Sequence, residues 1–578
     1  MKIALLEKIN NPKEFFGALY RIWCEEYQKN EKILPELIIK MNKEDGVDFC
    51  QIAVDAMNDN FRCFDAIHIF EDTLSDMNLE VNSVLHLAES LFEGMQGDMM
   101  ACIQFKPFDD LISKQPEFSR ALLTELLRQD KPYIVGYISS LYKKLSKDNE
   151  PDIHNELCAL KDHKSKYVLM ALADVLSELD YTIPKNKNLI KTTLDVFDEL
   201  EKKNIEEINR ILIFSYSNFL DHVEIAKDKL IYFSKSDQLL LKGATSQVLF
   251  RTQKKHGNED WFSEVLMNFF AISCEYKGII DNIDYVLAGL IENNKWNLAE
   301  HFFTEWLLNS DYTSKKRNLN KIFDSTFIAL MNKKDSLSKL LTRFFNHDSF
   351  KIHSAAAEIA SYCQLHRFYE LKLDKEILKT LSYDDCLFIC RKILGYVISH
   401  EHLCSLCFSV LDAFPKDKNI QSLTYSIFSS HIGENYPGRT IDFFKKTLSE
   451  TKAASKKNLA SQVIEDIENY YKLRDELPKL SELKPARQKS LRIFRESSKK
   501  MSAAMEEAQK GSIISMMASR VIMKQGTGSF CFMGGTYSEI SKMVKISETM
   551  DLPHSEVTHP VDAALERINF RLARRGDK

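Results

Sequence analysis

The densest set of metal-ligating residue types in this 578-residue chain is Cys386, Cys390, His400, His402, Cys404 and Cys407, which includes one Cys-x-x-Cys pair. Thiolates and imidazoles are the ligands of tetrahedral zinc, and paired thiols also carry redox chemistry. The surroundings favour neither. Cys386 and Cys390 stand one helical turn apart, and Cys404 and Cys407 fall among Leu403, Phe408, Val410, Leu411 and Phe414 with no glycine nearby to form a knuckle. These thiols are expected to be small core residues. His554 and His559 are close enough to chelate, with Asp551, Glu556 and Asp562 beside them, but the polar segment DLPHSEVTHPVD reads as a surface peptide lying across a groove. No metal and no cofactor is expected.

The glycine string GTGSFCFMGGTYS, residues 526–538, could let backbone amides approach a phosphate. It fails the known spacings: Cys531 stands where G-x-G-x-x-G needs its third glycine, and no Gly-Lys-Ser/Thr follows. Two short strands, Ser529 to Met533 and Tyr537 to Ile540, around a Gly-Gly turn are expected instead. Searches for H-E-x-x-H, for G-x-S-x-G and for the kinase pair H-R-D and D-F-G return nothing. Ser336 to Lys339 spells S-x-x-K without its companion strings. One polar feature remains, the basic stretch Lys484, Arg487, Lys489, Arg492, Arg495, Lys499 and Lys500. On a helix, Arg487 and its fellow cations separate from Leu491 and Phe494, a composition that suits an acidic groove or phosphates; a solvated helix face is the alternative.

The elements that must carry these residues are helices. Only 18 glycines and 13 prolines occur, about 3% and 2%, against usual values of roughly 7% and 5%, which disfavours strand-rich folds and glycine-loop nucleotide folds. The 44% apolar content is ample for a core, and a net charge of −5 gives no global reason to expect nucleic acid or an anionic membrane as the main partner. No window approaches the roughly 18 apolar residues of a membrane span, and the N-terminus lacks a secretory core. A cytoplasmic setting with free thiols is expected. Helical periodicity runs to about residue 475, broken by NNPKE, SKDNEPD, TIPKNKN, KKHGNED and FPKDKN, as in arrays of helix pairs.

Residues 336–363 write out one such pair. Leu337, Leu340, Leu341, Phe344 and Phe345 share one face, and Ile352, Ala355, Ala356, Ile359 and Ala360 share the next. A pair with one apolar stripe per helix needs similar pairs stacked on each side. The segment resembles the HEAT-repeat family at Asp348, Ile352, Ala355, Ala356, Ala357 and Ile359, with a weaker echo at 159–179 in Asp162, Val168, Ala171 and Ala173. Both depart from the family pattern at the basic position after the β-branched residue, occupied by His353 and Leu169. The resemblance implies a curved α-solenoid used as a binding scaffold.

The expected architecture is therefore all-α: a HEAT-like solenoid of stacked helix pairs over 1–475, a basic, Met-rich helical segment over 476–525, and a short β-hairpin plus terminal helix over 526–578. Between Lys484 and Lys524 ten Lys or Arg face three Glu, and 501–550 hold eight of the eighteen methionines. The last helix is expected from Val561 to Arg575, with Pro560 at its start. The expected function is non-catalytic: a scaffold that binds a protein partner within a larger assembly, a bacterial defence system being one setting, with the appendage either capping the array or projecting to a partner. The rival readings are a nucleic-acid-binding subunit using 484–500 and an enzyme with an unrecognised site.

Overall fold

The computed structural model describes residues 2–29, 33–95, 110–111, 113–146, 150–181, 188–312, 314–315, 317–366, 371–478, 487–510, 529–533, 536–540 and 553–577. The regular structure of these residues is helical apart from one pair of short strands, Ser529–Met533 and Thr536–Ile540, antiparallel with Ser529 opposite Ile540 and Met533 opposite Thr536. The chain divides into two compact units, Met1–Ser336 and Leu337–Lys578. The end of the chain packs onto helices of the second unit.

In the first unit the helices Ile134–Ser146, Lys166–Glu178, Glu206–Asn218, Leu239–His256, Lys277–Glu292 and Asp324–Asn332 pack each upon the next. The intervening helices Ile225–Ser234, Asp260–Met267 and Trp296–Asn309 form a second series beside them. The 277–292 helix shows why. It buries Ile279, Ile280, Ile283, Val286, Leu287, Leu290 and Ile291, too wide an apolar face for one neighbour, and it packs against both the 239–256 and the 324–332 helices.

Hydrogen bonds between successive layers recur at similar sequence separations. Trp306 donates to the Ile272 carbonyl 34 residues away, Asn282 to Ser246 at 36, and Asn218 to Ser177 at 41. Ser215 donates to the Ala173 carbonyl at 42. Asp284 performs the most demanding of these links. Its buried carboxylate accepts from the Ser325 amide (2.9 Å), the Thr326 amide (2.8 Å) and the Thr326 hydroxyl (2.6 Å), so one helix supplies the N-terminal cap of another.

The second unit is built on the pair read from the sequence. Leu337, Leu340, Leu341, Phe344 and Phe345, and Ile352, Ala355, Ala356, Ile359 and Ala360, are all buried. The helices Tyr383–Tyr396, His400–Ala413, Lys418–Ser426, Pro437–Glu450 and Ala454–Glu476 follow. A capping box starts the first of them: the Ser382 hydroxyl accepts from the Asp385 amide, and the Asp385 carboxylate accepts from the Ser382 amide. A π-helical turn spans Ile427–Ile432. The Ala454–Glu476 helix buries Leu459, Ala460, Val463 and Ile467, whereas Tyr470 and Leu473 are exposed, so its packing onto the unit ends before its last two turns.

Candidate functional site

The basic segment forms a 24-residue helix, Arg487–Lys510. Lys484 lies outside the described residues, and Arg487 opens the helix on the side of Leu491 and Phe494, four and seven residues on, not with the other cations as expected. Lys489, Arg492, Arg495, Lys499 and Lys500 are all exposed. At 100° per residue Arg492, Arg495 and Lys499 fall on one side, with Lys489 and Lys500 at its edge, while Leu491, Phe494 and Met501 fall on another. Those three apolar side chains are open to solvent, Phe494 at 70%. Arg492 pairs with Glu496 at 3.1 Å one turn along, the one ion pair of these cations among the described residues. The helix thus presents a cationic face and an apolar stripe side by side.

The cysteine cluster is core. Cys386, Cys390, Cys404 and Cys407 are buried free thiols. The neighbouring Cys407 thiol and burial hold the Cys390 thiol far above its usual range, and burial pushes Cys386 up to about 12. Such thiols stay protonated and are poor ligands and nucleophiles. His400, also buried, lies 3.2 Å from Cys404 Sγ and 3.3 Å from the Thr440 hydroxyl. His554 and His559 are exposed, and Glu556 is engaged by Arg567 at 2.5 Å. Among the described residues no three His, Cys, Asp or Glu side chains converge as metal ligands. A groove of about 560 Å³ is lined by residues 127–130 and 162–165 on two turns of the first unit.

A second constellation escaped the sequence reading. Residues 553–577 fold back onto the second unit, where the helix runs Pro560–Leu572 with Pro560 in its first turn. It ends three residues short of the expected Arg575. The reason is Lys392, whose buried ammonium donates to the carbonyls of Arg571 (2.6 Å) and Ala573 (2.7 Å), which turns the chain aside. Arg575 then reaches the carboxylates of Asp348 and Asp385 and the Asn346 carbonyl, with its guanidinium 4.8 Å from the Phe388 ring centroid.

Further contacts complete this clasp. Arg571 Nε donates to the Gly395 carbonyl at 2.6 Å, and its guanidinium lies 5.0 Å from the Tyr396 ring. His431, on the π-helical turn, meets Glu566 at 2.8 Å and packs against Phe570. That hydrogen bond holds the Glu566 carboxyl below its usual range. Burial pushes the Asp385 carboxyl up, but hydrogen bonds from Ser382 and the charge of Arg575 outweigh it and leave the group lowered. Gly395 is required here, since a Cβ would stand 2.9 Å from the Arg571 amide nitrogen. The available signals were Asp385 in the Ser382 capping box and the arginines at 571, 574 and 575; their target lies some 190 residues away in sequence.

Comparison with protein-family models gives no match, and no curated protein matches. Among solved structures, the crystal structure of an engineered protein aligns over 81% of this chain and 94% of its own at 14% identity, with a TM-score of 0.17. A score that low carries no argument about fold or function. No helix among the described residues is long and apolar enough to cross a membrane.

Proposed function

We propose that this chain is a non-catalytic scaffold, a HEAT-like α-solenoid of stacked helix pairs, that binds a protein partner within a larger assembly. Support for the solenoid comes from the two series of helices and the cross-layer hydrogen bonds separated by 34 to 42 residues, within the periods of roughly 33–47 residues that helix-pair repeats use. The observation that carries the binding role is the Arg487–Lys510 helix, with an apolar stripe alongside solvated cations.

An acidic protein groove with an apolar floor complements both faces at once. Phosphates alone would use the cations and leave Leu491, Phe494 and Met501 uncovered, which is why a protein partner is preferred over nucleic acid. The experiment is a salt titration of the complex captured from the native cell, run with and without nuclease. A protein partner that survives nuclease and elutes over a moderate salt range supports the reading. Loss on nuclease treatment, with a steep salt dependence, transfers the role to nucleic acid.

A further inference from the structure

The clasp at the end of the chain has the composition of a ligand in a recognition groove. Arg575 is met by two carboxylates, a backbone carbonyl and an aromatic face, a set that reads a planar, forked cation and not a generic positive charge. Lys392, 3% exposed, reads something else: the last-turn carbonyls that every helix leaves without intrahelical partners. Gly395 leaves room for the backbone that carries them.

The packing between these anchors is thin. Ala563 is the one buried apolar residue of the terminal helix, while Val561, Leu565, Ile568 and Leu572 face outward. A cavity of about 40 Å³ remains beneath the helix, lined by Leu394, Tyr436, Pro553, Ala563 and Phe570 among others. Contacts dominated by charge-assisted hydrogen bonds, with little apolar burial, belong to interfaces that exchange and not to permanent cores.

We infer that the surface formed by Asn346, Asp348, Asp385, Phe388, Lys392 and Gly395 is a binding groove for an arginine-bearing helix end, filled in this chain by its own residues 553–577. Its ligand is the C-terminal turn of a helix with one arginine inside that turn and a second four residues later, the spacing of Arg571 and Arg575. Its occupant is the chain's own tail, held in cis, and a tail supplied by a second copy is an outcome of the test. This groove is separate from the basic helix above, so either proposal can fail alone.

The test uses the full-length chain carrying Arg571→Ala and Arg575→Ala, which empties the groove and leaves its walls intact. The probe is a fluorescent synthetic peptide of residues 553–577. The peptide is expected to bind the double variant at least tenfold more tightly than the unaltered chain, where the tethered tail competes at an effective concentration on the order of millimolar. Adding Lys392→Met is expected to reverse that gain. Equal affinity for both chains, or no binding to the double variant, overturns the inference and makes the tail ordinary packing.

Should the double variant lose its helicity, Arg575→Lys serves in its place, keeping the charge and losing the fork. An intermediate gain is then expected, and no gain overturns the inference. Sedimentation of the unaltered chain separates the sources. A monomer is expected, and a dimer that Arg575→Ala dissolves overturns the placement in cis.

Discussion

His353 provides the sharpest physical test of the second unit. Its side chain is 1% exposed, with ring centroids 5.9 Å from Phe388 and 5.5 Å from Tyr396. Burial and then the nearby Lys392 ammonium depress its pKa from 6.5 to about 4. The sign follows from which state takes up the proton. Below pH 6.5 the unfolded form binds a proton that the folded form refuses until about pH 4, so stability is lost as the pH falls through that window.

With those two values the loss between pH 7 and pH 5 is about 2 kcal/mol, and burial this complete calls for no reduction for solvent screening. The perturbation is His353→Leu, which removes the titrating group and keeps an apolar side chain. Hydrogen exchange, corrected for intrinsic rates, gives the opening free energy of the 350–365 and 383–396 helices at both pH values. The parent is expected to fall by about 2 kcal/mol more than the variant on acidification. Parallel behaviour of the two chains, within about 0.5 kcal/mol, would refute the assignment of a buried neutral imidazole.

Two further substitutions probe other links. Asp284→Ala strips the Ser325 and Thr326 amides of their acceptor within a buried setting, and is expected to cost roughly 2–4 kcal/mol; exchange in the 324–332 helix should accelerate first, and unchanged protection there would count against the bracket. Gly395→Ala forces a methyl group against the backbone at Arg571 and is expected to raise exchange in the 560–572 helix at least tenfold while the 206–218 and 277–292 helices keep their protection.

The paired helices at 334–345 and 350–365 could be read in advance because one-sided burial writes a 3.6-residue pattern into a short stretch of chain. The burial of the cysteines between 386 and 407 was legible for a related reason: Leu403, Phe408 and Leu411 surround Cys404 and Cys407 with apolar neighbours on the same helix. The clasp was not legible. Arg575 and Asp385 carry no shared pattern, and the helix end at Leu572 depends on Lys392, whose neighbours in sequence are arginine and isoleucine. Contacts between distant segments leave no period, so only folding brings them together. The division at Ser336 was hidden similarly, because helical periodicity continues across it without a break.

The central claim is that a protein partner is held through the exposed basic helix. Its most direct test is cross-linked capture from the native cell by the full-length chain and by a variant with Lys489, Arg492, Arg495, Lys499 and Lys500 all replaced by Glu. The account predicts that a defined set of protein partners, insensitive to nuclease, is recovered with the unaltered chain and lost with the charge-reversed one while the helical content of both is the same. Recovery of the same partners by both chains would contradict it.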